Sequence, residues 1–244
     1  MSRAVALGVV ALLGALPSQA LEVSDTPVAP KAPMQSPRTG AVELKLGGYK
    51  PRIDTEEGLT GRPYADTFGD ESMLLFEVEL QRYFYQGIGS AGLGFSAGYA
   101  EKYADTLTES GEVALEKTAL KVVPLRLNAL YKFDYPAFRW HVPIVPYGKL
   151  GLVYTPWWIN KGDETQQVDG RTGKGGRWGY GLTLGASFLL DVLEPRLARD
   201  FDSDLGVNHS YVFAEWTYAE VNNFGSSGLV LSSRHWMFGL ALDY

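Results

Sequence analysis

The chain has 244 residues, 28 of them acidic and 22 basic, for a formal charge of −6, and it has no cysteine. That length suits one large all-β domain, the acidic balance without any Lys/Arg cluster argues against a nucleic-acid partner, and no thiol nucleophile, disulfide or thiolate metal site is possible. The 28 glycines, 14 tyrosines and 6 tryptophans favour strands, close backbone approach and interfacial anchoring over helical packing.

The first residues have the three parts of a secretory signal. Arg3 supplies the positive start, Ala4 to Leu16 the apolar core, and Pro17-Ser18-Gln19-Ala20 a small-residue cleavage site. Cleavage after Ala20 is expected, and the apolar run is shorter than the ~20 residues of a spanning helix. Residues 21–40 carry Pro27, Pro30, Pro33 and Pro37 and read as an extended linker. Residues 41–244 remain for a folded domain. No later stretch is apolar for spanning length, so any crossing of a membrane falls to strands.

From Val42 onward the chain alternates apolar and polar residues with period two, the signature of strands with one apolar face. Val42, Leu44 and Leu46 form a first strand and Leu74 to Leu80 a second that ends in Tyr83-Phe84-Tyr85. A third carries Leu93, Phe95, Ala97 and Tyr99, and a fourth Val123, Leu125, Leu127, Ala129 and Tyr131. The fifth places Leu150, Leu152 and Tyr154 outward. Its parity is the least clear, since Val145, Tyr147 and Val153 fall on the other face. Trp178 to Leu190 is the clearest strand, and Val212, Ala214, Trp216 and Tyr218 mark the seventh. Polar stretches at 50–70, 101–117, 157–177 and 221–231 read as long loops, and a proline-bearing turn is expected around Pro136 and Pro143. The connection after Gln86-Gly87 is short, whereas Leu197, Phe201 and Leu205 after Glu194-Pro195 recur at helical spacing and predict a short helix.

The eighth strand ends the sequence with Trp236, Phe238, Leu240, Leu242 and Tyr244 on one face. An alternating strand left unpaired at a terminus would be an open sheet edge, whereas a closed barrel in lipid pairs its last strand with its first. Aromatics cluster at strand ends, where membrane interfaces hold Tyr and Trp. Tyr154, Trp157, Trp178, Tyr180, Trp216, Tyr218 and Trp236 fall at the long-loop end, and Tyr131 and Tyr244 at the other. The expected fold is therefore an all-β, up-and-down antiparallel transmembrane barrel of about eight strands, with a short helix between the sixth and seventh. A soluble lipocalin-like barrel would reverse the faces, placing the apolar stripe inside.

These strands, and segments such as Val123-Pro124-Leu125-Arg126-Leu127-Asn128-Ala129-Leu130-Tyr131, resemble small bacterial outer-membrane barrels. The types are the OmpA transmembrane domain and OmpW, and the segment also resembles uncharacterised outer-membrane barrel families of myxobacteria. The resemblance implies integral outer-membrane localisation with both termini periplasmic, and contact with outer-membrane lipid and lipopolysaccharide. It also makes Trp236, Phe238, Leu240, Leu242 and Tyr244 a terminal signal for the barrel-assembly machinery. It carries no catalytic motif and implies no cofactor.

Inward charges are the site candidates: Glu43, Lys45, Glu77, Glu79, Arg126 and Glu215. The interior of so small a barrel is filled by side chains, and charges of both signs there are expected to pair. That leaves a plugged lumen, or a narrow pore gated at an Arg126–carboxylate bridge. His209, Ser210 and Glu215 invite a hydrolase reading, but adjacent strand residues face opposite sides. Asp200-Phe201-Asp202-Ser203-Asp204 imitates a calcium loop, yet Leu205 and Tyr211 stand where glycine and a bidentate glutamate are needed, so a solvated acidic turn is expected. No metal site follows. The expected role is non-enzymatic, structural or surface-interacting through the long loops, with a narrow channel and a lipid-modifying enzyme as alternatives.

Overall fold

The computed structural model describes residues 37–56, 58–107, 113–161, 164–165, 167–168, 171–226 and 228–244. The expected signal segment and residues 21–36 of the expected linker lie outside them. Eight wall strands form one closed antiparallel ring. They are β1 (Gly40–Tyr49), β2 (Met73–Gly87), β3 (Gly89–Leu107), β4 in two pieces (Val113–Val122 and Leu125–Lys132), β5 (Ile144–Lys161), β6 (Lys174–Leu189), β7 (His209–Val221) and β8 (Ser233–Asp243). Each pairs with its sequence neighbours, and β8 returns to β1 through Leu44↔Leu240 and Leu46↔Phe238. The ladder ends on the last residue, whose amide donates to the Gly40 carbonyl at 2.9 Å and whose carbonyl accepts from Gly40 at 3.0 Å. The ring itself has no open edge among the described residues.

Burial alternates along most of the wall but in the sense opposite to a soluble protein. Leu44, Leu46, Phe76, Leu80, Leu93, Phe95, Leu127, Leu150, Leu152, Leu184, Phe238 and Leu240 are exposed, while Glu43, Lys45, Glu77, Glu79 and Lys149 are buried. A continuous apolar exterior around a polar interior is a surface made for lipid. The barrel has the transmembrane arrangement, not the inverted lipocalin one. Among the described residues no helix is long and apolar enough to cross a membrane. The strands do the spanning.

Two stretches expected as polar loops are partly strand. β3 continues to Leu107 and pairs with the first piece of β4 from Ala100↔Val122 to Leu107↔Val113. β5 continues to Lys161, pairing with the same piece from Val122↔Trp157 to Thr118↔Lys161. The apolar alternation fades there because both faces leave the lipid, while the backbone still satisfies its donors and acceptors by extending the ladder. Pro124, which lacks an amide, splits β4. The ring is held across the break by Gly98 N donating to Pro124 O at 2.8 Å and Val123 N to Pro156 O at 3.0 Å.

The turn expected around Pro136 and Pro143 contains a helix, α2 (Tyr135–Trp140), begun by Pro136 and ended at His141 with φ 58°. In the first long connection, α1 (Pro63–Phe68) is capped by Asp54, whose carboxylate accepts from the amides of Tyr64 at 2.6 Å and Ala65 at 3.1 Å. The helix expected after Glu194 is α3 (Pro195–Leu205), closed by Gly206 at φ 69°. Inside the barrel, an apolar layer with Tyr49, Leu75, Leu120, Val122, Val153, Leu231 and Met237 fills the long-loop end. A second, with Val145, Tyr147, Leu189, Tyr211 and Phe213, fills the terminus end.

Leu44 and Leu240 face lipid across the closing seam, midway along their strands. Leu240→Arg is expected to destabilise the barrel by about 2–4 kcal/mol, the cost of a charge on the lipid face near the bilayer midplane. Urea equilibrium unfolding in lipid vesicles measures it, and a loss below about 1 kcal/mol would mean that this face does not meet hydrocarbon.

Candidate functional site in the barrel lumen

Period two carries the lumen charges inward from four strands: Glu43 and Lys45 on β1, Glu77 and Glu79 on β2, Arg126 on β4 and Glu215 on β7, all buried. Lys45 is the hub. Its ammonium lies 3.1 Å from Glu77, 3.1 Å from Glu215 and 3.4 Å from Glu43, and it donates a short hydrogen bond to Glu79. A second hub, Lys149 on β5, stands 2.6 Å from Glu43, 2.9 Å from Glu79 and 3.4 Å from Glu215. Gln81 donates to Glu43 at 2.6 Å and Glu79 at 3.0 Å, and the Tyr147 hydroxyl donates to Glu215 at 2.9 Å.

Toward the terminus end, Lys132 donates to the Tyr83 hydroxyl at 2.8 Å, and that hydroxyl donates to Asp243 at 3.0 Å. Arg38, just before β1, closes this mouth. It pairs with Asp134 at 2.7 Å and Asp243 at 3.3 Å, and its guanidinium lies 4.7 Å from the centre of the Phe138 ring. In the lumen proper, four cations (Lys45, Lys149, Lys132, Arg126) face five carboxylates (Glu43, Glu77, Glu79, Glu215, Asp243). Inner-face glycines make room for the large rings of the neighbouring strands, Gly239 paired with Phe213 and Gly185 with Tyr147. A Cβ on Gly239 would lie 2.7 Å from the Phe213 ring, and one on Gly185 would lie 2.5 Å from Tyr147.

The network tightens around the two lysines and loosens at Arg126. Arg126 approaches Glu77 only to 3.7 Å, and its Nε and Glu77 Oε2 are buried without a hydrogen-bond partner. Lys149, Lys132, Gln81, Tyr147 and Asp243 are members that the list of inward charges omitted. Leu150, Leu152 and Tyr154 outward on β5 turn Lys149 inward, but Val145, Tyr147 and Val153 on the other face hid that parity in the sequence.

A Ser/His/Glu arrangement is not assembled from His209, Ser210 and Glu215. His209 Nδ1 lies 2.6 Å from Asp191, the Ser210 amide donates to the same carboxylate at 3.1 Å, and Glu215 is engaged in the lumen. Ser233 Oγ is 3.2 Å from His235 Nδ1, but both are buried and His235 Nε2 has no partner. Asp200 to Asp204 belong to α3, where Ser203 Oγ donates to the Asp200 carbonyl at 3.1 Å.

Of the aromatics read as interfacial anchors, Trp178, Tyr180, Trp236, Tyr131 and Tyr244 are exposed on the outer wall. Tyr154, half-buried, lies with its ring 4.7 Å from that of Trp178, and Trp216 stacks on Tyr218 at 6.4 Å. Trp157 is a correction. β5 continues past Tyr154 without a bulge, so period two turns Trp157 inward, where it packs against the apolar layer of the long-loop end.

At that end a cleft of about 560 Å³ is lined by Lys50, Arg52, Arg62, Arg234, Asp54 and Asp70, among others. Asp54 is spent on capping α1. Asp70 bridges Lys50 at 2.8 Å and Arg62 at 2.7 Å. The hydrogen bond and charge of Lys50, then Arg62, hold the Asp70 carboxyl below its ordinary range. The bridge therefore persists in mild acid and is lost only as pH falls through that lowered value.

No protein-family model and no curated protein matches the chain. Among solved structures it is similar to the outer membrane protein OprG of Pseudomonas aeruginosa, at 15% identity over 86% of this chain and 98% of that one, TM-score 0.47. It is also similar to the attachment invasion locus protein Ail of Yersinia pestis, at 12% identity over 84% and 99%, TM-score 0.42. The N-terminal barrel domain of Pseudomonas aeruginosa OprF aligns at 12% identity over 85% and 100%, TM-score 0.40.

Lys149→Met would leave Glu43, Glu79 and Glu215 short of a cation in a dry interior. A loss of about 3–5 kcal/mol is expected, as for breaking buried ion pairs from one side, with partial recovery in Lys149→Met/Glu43→Gln. Urea unfolding in micelles measures both. Equal stability of wild type and single variant would show that water screens the lumen.

Proposed function

We propose that this chain is a non-enzymatic outer-membrane barrel with periplasmic termini, acting through its long-loop end. The observation that carries the reading is the filled lumen: two apolar layers enclose a network in which Lys45 and Lys149 each contact several carboxylates. Chemistry needs a nucleophile within reach of a substrate, and the charges here are buried and paired with one another, Arg126 most loosely. Trp236, Phe238, Leu240, Leu242 and Tyr244 form the face that the barrel-assembly machinery would read. Outer-membrane lipid is the surrounding solvent.

Lipopolysaccharide is the partner that the long-loop end fits best. The cleft holds four cations, Lys50, Arg52, Arg62 and Arg234, against two carboxylates, Asp54 and Asp70, so positive charge is in excess there. Arg234 sits with its guanidinium 5.1 Å from the centre of the Tyr218 ring, at the aromatic level that marks the lipid headgroups. Arginine is suited to phosphate because its planar fork matches two oxygens at once. Arg52→Ala/Arg234→Ala is expected to retain several-fold less lipopolysaccharide on purification while matching the wild type in gel mobility, unboiled and boiled. Unchanged retention would remove this cleft from the proposal.

A narrow channel is the second reading, and the long Arg126–Glu77 approach of 3.7 Å favours it, because that is where the network is loosest. A plugged barrel gives no steady conductance in planar bilayers, and Arg126→Ala leaves it silent. Discrete openings in the wild type, altered by Arg126→Ala, would replace the plug with the gate.

A further inference from the structure

We propose that α3 lies in the surface of the lipid leaflet at the terminus end of the barrel, with Leu197, Phe201 and Leu205 dipping into the acyl chains. The three residues recur every four positions and so share one helix face. They are 50%, 37% and 70% exposed, and no residue of the 11-residue helix is buried against the barrel. A helix this short is marginal in water without an apolar surface to cover it. The opposite side carries Arg196, Arg199, Asp200 and Ser203, groups that belong among headgroups and water.

The occupant follows from continuity with the lipid-facing wall. β6 leaves the belt and passes into α3 through Val192 and Leu193, exposed by 42% and 68%. The segment is tied to the rim, because Asp191 accepts from the Ser210 amide at 3.1 Å and contacts His209 at 2.6 Å. On the same rim, α2 stacks Phe138 on His209 at 4.7 Å and leaves Trp140 exposed. The apolar belt is thus extended at this end by helices lying beside it, the arrangement of an interfacial amphipathic helix.

The absence of cysteine makes the test direct. Single variants Leu197→Cys, Phe201→Cys, Ser203→Cys and, in the belt, Leu240→Cys are labelled with an environment-sensitive fluorophore. Each protein is reconstituted into phosphatidylethanolamine/phosphatidylglycerol vesicles containing lipids spin-labelled on the acyl chain. Labels at 197 and 201 are expected to be blue-shifted and quenched about threefold or more beyond the label at 203, as for a helix half-sunk in the interface. Quenching at 240 with none at 197 and 201 would overturn the helix assignment and leave the barrel standing. A blue shift at 197 and 201 that disappears on diluting the protein in lipid would also overturn it, assigning the face to a second copy.

Discussion

Everything in this barrel depends on the pairing of two buried lysines with four glutamates. Eight strands enclose a space that side chains fill, and a charge placed in that space without a partner costs more than the fold can supply. Lys45 and Lys149 reach the same three glutamates, Glu43, Glu79 and Glu215, from strands on different parts of the ring. A shift of one residue in β1, β2, β5 or β7 would turn its charge into lipid and an apolar neighbour into the network. The ion network therefore fixes register as much as it fills volume.

The same constraint explains the glycines of the inner face. Large inward rings need room over the neighbouring strand, and Gly185 and Gly239, paired directly with Tyr147 and Phe213, stand where a Cβ would collide with them. Small residues inside and large apolar ones outside make the alternation unusually easy to read. It is also what distinguishes this chain from a soluble barrel, in which volume and hydrophobicity would both point inward.

The wall strands and the closing seam were legible in the sequence because lipid on one face imposes a period of two, and α3 because Leu197, Phe201 and Leu205 recur at helical spacing. Legibility ends where lipid ends. The extensions of β3 and β5 past the belt keep their ladder but lose their alternation, so Glu101 and Trp157 read as loop residues. α2 hides behind Pro136 and Pro143, which signal a turn and a helix start equally well. Of the lumen site, Glu43, Lys45, Glu77, Glu79 and Glu215 stood out as charges inside clear strands. Lys149 sat on the strand with apolar residues on both faces, where a charge gives no contrast. Asp243 and Tyr83 join through contacts between strands distant in sequence, which no local pattern encodes.

A lumen closed in this way moves recognition to the two ends. The wall is committed to lipid and the interior to itself, so groups free to meet a partner must stand above or below the belt. At the long-loop end these are cations in excess of their carboxylates, beside Tyr218 at headgroup level. At the terminus end they are leucines and a phenylalanine on a helix that nothing in the barrel covers. The first set suits phosphate and the second acyl chain, which are the two chemistries a bilayer offers at its surfaces. On the two proposals made for them, the ends would be specialised in opposite senses, charge at one and apolar area at the other, with the barrel between them setting the depth of each.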